Sequence, residues 1–122
     1  MVDTPSLLTR PSVRVLQRSY RVLLVVTPEE TAARHARAFL DLCQEQDLVS
    51  DVRVVVNRSG SASGLTAKHL DETFGPRLVG HVDSDGPLVV TSINTGRPFV
   101  YAMPDHRLSQ QLGSLAHTLA AG

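Results

Sequence analysis

The run Val22-Leu23-Leu24-Val25-Val26-Thr27, set between Arg21 and Pro28, constrains the fold most strongly. It is apolar without polar alternation, so it fits a parallel strand covered on both faces better than a half-exposed antiparallel one. A helical pattern follows. Ala32, Ala36, Phe39, Leu40 and Cys43 recur at three- and four-residue spacing, with Arg34, Arg37, Asp41 and Glu45 largely elsewhere. Thr27 is expected to cap this helix, and Pro28, Glu29 and Glu30 to open it. A second β-branched run, Val52 to Val56, ends at Asn57-Arg58, and the flexible stretch Ser59 to Gly64 leads into a helix around Thr66 to Phe74 that Gly75-Pro76 stops. Leu78 to Val82 reads as a third strand. Beyond it come a Gly86-Pro87 helix start, a turn at Asn94-Thr95-Gly96, a short extended piece from Pro98 to Tyr101, and a final helix from about Asp105 to Leu119. Upstream, Thr9 to Gln17 reads as a short helix with Pro11 in its first turn. Strand and helix alternate, which predicts right-handed βαβ units in a three-layer α/β/α arrangement with a mainly parallel sheet.

The 122 residues show no internal repeat and no long linker, so they are expected to form one domain. Twelve basic and twelve acidic side chains cancel, and the arginines are scattered, which argues against a dedicated nucleic-acid binder. Lys68 is the one lysine, so a phosphate-gripping lysine loop has no candidate, and the Gly-x-x-x-x-Gly-Lys-[Ser/Thr] pattern does not occur. Cys43 stands alone and no Cys/His group has zinc spacing, which fits a reducing cytoplasm. Apolar runs fall far short of the roughly 18 residues a membrane helix needs, so membrane contact is expected to be peripheral at most.

Several residue groups invite a chemical reading. Asp83 and Asp85 could pair on magnesium, but two acids after a strand more often cap the next helix. Ser59 to Gly64 could form an anion-binding nest, although a solvated loop is the simpler account. The five histidines, at 35, 69, 81, 106 and 117, have no ligand spacing and read as isolated surface or packed residues. Cys43 lies on the apolar stripe of its helix, where a thiol is usually inert packing.

Asp3-Thr4-Pro5, the strand end Val25-Val26-Thr27-Pro28-Glu29, the strand end Val56-Asn57-Arg58, and Ser92-Ile93-Asn94-Thr95-Gly96-Arg97-Pro98 together resemble successive landmarks of the ParA/MinD superfamily of deviant Walker ATPases. The likeness covers nearly the whole chain and is greatest to the CpaE/TadZ pilus-assembly group and to septum-site-determining relatives. It implies a P-loop NTPase-like fold. It also implies that Asp3 organises magnesium and the attacking water, and that Asn57, with Arg58 and Asp85, lies on the adenine side of a bound ATP. Two departures accompany it. The family's Gly-rich loop with two lysines has no counterpart, and where many members have Pro followed two residues later by Asp, this chain has Asp83-Ser84-Asp85.

A P-loop supplies most of the backbone donors around the β-phosphate and a charge-neutralising lysine. The expectation is therefore a partial P-loop NTPase-like domain over residues 1–122, lacking the P-loop strand, which binds ATP and Mg only when that loop is supplied and hydrolyses no ATP alone. In the resembling fold the absent strand would lie beside Val22 to Thr27, so that edge is expected to be covered by another chain, by residues before Arg21, or by further polypeptide. The partners implied are a second copy, a full-length relative, or pilus and cell-division proteins. The alternative is the C-terminal part of a functional ATP-hydrolysing enzyme.

Overall fold

The computed structural model describes residues 10–47, 51–60 and 64–121, with only the backbone described for 10–13. In chain order the elements are α1 (Arg10–Arg18), β1 (Val22–Val26), α2 (Glu30–Glu45), β2 (Val52–Ser59), α3 (Ala67–Phe74), a 3-10 turn (Gly75–Arg77), β3 (Leu78–Asp83), α4 (Gly86–Thr95), α5 (Phe99–Ala102) and α6 (Arg107–Ala121). The strands form a sheet of order β1-β2-β3, parallel throughout. Valine-rich strands suit this arrangement because β-branched side chains pack well on a pleated surface. β1 and β2 pair in unbroken register, from Val22 beside Val52 to Val26 beside Val56. The second pair is irregular: Val54 lies beside Leu78 but Val55 beside Gly80, so Val79 is an extra residue that bends β3.

Side chains alternate across a strand, and the two faces of the sheet are covered differently. On one face Val54 and Val56, both with no exposed surface, join Val26, Leu40, Leu70 and Phe74 in the core beneath α2 and α3. The buried stripe of α2 is Ala33, Ala36, Leu40 and Cys43, turned slightly from the expected one, with Ala32 and Phe39 half-buried. On the opposite face α6 lies against β3, where Leu115 would stand 3.6 Å from a Cβ added at Gly80.

Thr66 caps α3, its hydroxyl accepting from the His69 N–H at 3.2 Å, and Gly75 ends that helix at φ 58°. Thr27 does not cap α2: its hydroxyl donates to the Glu29 carboxylate, and Glu29 occupies the cap position without a side-chain cap bond. Pro28 is instead a buried hinge whose carbonyl accepts from Leu65 N–H at 2.6 Å. The expected extended piece from Pro98 to Tyr101 is helical. Pro98 fixes the chain at φ −57°, and its carbonyl then accepts from the N–H groups of Tyr101 and Ala102 at 3.0 and 3.1 Å, closing the turn of α5.

Arg21 ties three elements together. Its Nε donates to Asp51 Oδ2 at 2.8 Å at the start of β2, and its Nη1 donates to the Leu119 carbonyl near the end of α6. Asp51 accepts a second bond from Arg53 Nε at 2.8 Å, and the two guanidinium donors hold its carboxyl below the usual carboxylate range, the Arg21 bond contributing most. Cys43 is buried, and burial pushes its thiol up despite the charge of Arg77. A thiol of that kind is a packing group and a poor nucleophile.

Candidate functional site

Parallel sheets gather chemistry at the carboxyl ends of their strands, because the loops there converge over the sheet. Here those ends are Thr27 to Glu29 after β1, Asn57 to Gly60 at the end of β2, and Asp83 to Asp85 at the end of β3. The Ser84 N–H donates to the Ser59 carbonyl at 3.1 Å and joins the second turn to the third. Asn57 and Arg58 are both exposed on this rim. Arg58 adopts φ 59°, an uncommon conformation for a residue with a side chain, and its N–H donates to the Asn57 carboxamide oxygen at 3.0 Å. That bond orients the Asn57 amide and leaves its NH2 directed elsewhere.

The acidic pair after β3 is already engaged. Asp85 is the N-cap of α4, accepting from Leu88 N–H at 3.1 Å, and its other oxygen lies 3.4 Å from His106 Nε2. Asp83 pairs with Arg107 Nε at 2.9 Å. His106 in turn accepts from Leu108 N–H at 3.1 Å through Nδ1, so the imidazole caps α6 and bridges it to α4. Asp83 and Asp85 therefore staple the start of α6 to the sheet. Among the described residues no three His, Cys, Asp or Glu side chains are grouped to hold a metal.

His81 carries a second network. Its Nδ1 lies 3.4 Å from Ser59 Oγ and its Nε2 lies 3.1 Å from Asp71 Oδ1. Water competes for Asp71, whose side chain is 61% exposed, so this relay positions the ring more than it activates the hydroxyl. His81 and His106 are packed histidines, each held by a carboxylate; Asp71 and His81 meet only because α3 packs back beside β3.

Asp3, the carboxylate expected to organise magnesium and water, lies outside the described residues. Asn57, Arg58 and Asp85 do fall on adjacent strand ends of the same rim. The rim offers a carboxamide, a guanidinium and carboxylates committed to structure. Such a set can recognise a polar edge, and among the described residues of the rim it supplies no lysine; the candidate anion nest of Ser59 to Gly64 lies partly outside the described residues.

No family model matches the chain, and no curated protein matches it significantly in sequence. Solved structures match it in fold. The cell division ATPase MinD of Pyrococcus furiosus aligns with a TM-score of 0.80 at 18% identity, over 98% of this chain and 50% of that one. MinD in the MinC:MinD cell division protein complex of Aquifex aeolicus aligns at 0.73 and 23% identity, over 85% of this chain and 44% of the other. A ParA family ATPase from Chlorobium tepidum TLS aligns at 0.73 and 22% identity, over 91% and 46%. The chain thus has the P-loop NTPase-like α/β fold of MinD and ParA proteins, and it spans about half the length of these neighbours.

Proposed function

We propose that the chain is a MinD/ParA-type module, of the CpaE/TadZ and septum-site-determining kind, that helps position or assemble a pilus or division apparatus through protein association and not through its own ATP hydrolysis. One observation carries this reading. β1 has β2 as its sole strand neighbour among the described residues, and it exposes Leu23 at 39% and Val25 at 57%. An apolar edge strand of this kind associates unless something covers it. The neighbour solved as a MinC:MinD complex supports the same mode of action, since that protein works in contact with another.

Nucleotide belongs to this reading conditionally. Asn57, Arg58 and Asp85 would form the base side of an ATP site in a cytoplasmic protein, peripheral at most to the inner face of the cell membrane, with Asp3 serving magnesium, when a P-loop is supplied from elsewhere. A second reading, in which these residues are the distal part of an ATP-hydrolysing enzyme, is favoured by the neighbours' being about twice as long and named as ATPases.

Nucleotide dependence of association separates the two, and phosphate release by the purified chain with Mg-ATP tests the first directly. The association reading predicts no turnover above buffer. Turnover that Asp3→Ala abolishes would overturn it and favour the enzyme.

A further inference from the structure

The outer edge of β3, at the opposite side of the sheet from β1, is flanked by a groove that the rim chemistry does not use. Along a strand, alternate residues turn their N–H and C=O towards one neighbour and then away from it. Ser84 N–H donates inward to Ser59 of β2, whereas Asp83 N–H points outward and donates to Gln111 Oε1 of α6 at 2.9 Å. By the same alternation the N–H and C=O of His81 face outward, one pleat further back. No strand lies on that side among the described residues.

A groove of about 270 Å³ runs along this edge, walled by Val79 to Val82 on one side and by Gln110, Ser114, Leu115 and Thr118 of α6 on the other. Gln111 satisfies one outward backbone group in the manner of a strand partner, and the next position opens into the groove. The space lies at the lower end of what a small-molecule site needs. Its one cation, Arg107, is paired with Asp83, so it makes no anion site. Amide and hydroxyl side chains over the Leu115 floor suit small uncharged residues. The paired outward N–H and C=O of one residue suit the backbone of an extended chain, which is the recognition mode of strand addition.

We propose that the β3–α6 groove docks a short, uncharged, extended peptide segment of a partner protein, which joins the sheet through the His81 backbone. Side chains of Thr, Ser or Val alternate into the groove while the opposite residues remain in solvent. This site stands apart from the β1 edge, so its test does not depend on the association proposed there.

The test titrates the 15N-labelled full chain with acetyl-Thr-Val-Thr-Val-Thr-amide, and with the same peptide N-methylated at both valines. The site predicts saturable shifts at His81, Val82, Ser114 and Leu115, slowed hydrogen exchange at His81, and no such shifts with the N-methylated peptide. Ser114→Arg, which fills the groove from an exposed helix position, should weaken binding by about tenfold or more. Absence of saturable shifts up to about 5 mM peptide would overturn the proposal. So would equal binding of the N-methylated peptide, or shifts centred on Leu23 to Val25. The two-peptide comparison on the unaltered chain decides the matter even if Ser114→Arg disturbs the fold.

Discussion

Asp51 shows how one side chain makes stability depend on pH. Its carboxyl is held low by Arg21 and Arg53 in the folded chain, whereas the unfolded chain binds that proton at a higher pH. The stabilisation is therefore complete above the ordinary carboxylate range and is lost as pH falls towards the depressed folded value. The urea midpoint should drop on acidification below about pH 5, and Asp51→Asn should flatten that slope while lowering the plateau at neutral pH. An unchanged acid slope in the variant would show that other carboxylates govern it. None of this was legible in the sequence, because Arg21 and Asp51 lie thirty positions apart and meet only when β1 and β2 pair in register. Asn57 and Arg58 were legible as a strand end. Their mutual bond and the positive φ of Arg58 were not, since both arise from the turn that β2 must make at the rim.

At the scale of elements, the strands and most helices could be read from apolar runs and punctuation. Gly75, Thr66, the Gly86-Pro87 start and Gly96, a left-handed C-cap at φ 64°, all mark real boundaries. The two misreadings share a cause. Residue type alone does not show that Thr27 finds the nearby Glu29 carboxylate or that Pro98 supplies a carbonyl that closes a helical turn. The stapling of α4 and α6 was invisible for a different reason: Asp85 and His106 come together only in three dimensions. Two variants separate the roles of Asp85. Asp85→Ala removes the cap and the ion pair and should cost about 0.5–2 kcal/mol by denaturant unfolding. Asp85→Asn keeps a capping oxygen and should cost less. Equal losses in the two variants would assign the effect to charge alone.

For the whole molecule, the uneven covering of the sheet matters most. The core beneath α2 and α3 is complete, with Val54, Val56 and Leu70 excluded from water. Across the sheet α6 covers the β3 side, and Leu23 and Val25 remain exposed at the β1 side. The apolar run in β1 had implied a strand covered on both faces, and among the described residues it is covered on one. Sequence patterning thus foresaw a need for cover that the described residues do not meet. Sedimentation of the purified chain across a concentration series, with and without Mg-ATP, and beside a Val25→Lys variant of the exposed face, tests this most directly. The account predicts concentration-dependent association that ignores Mg-ATP and is lost in the variant. A monomer at every concentration, or association that appears only with Mg-ATP, would contradict it.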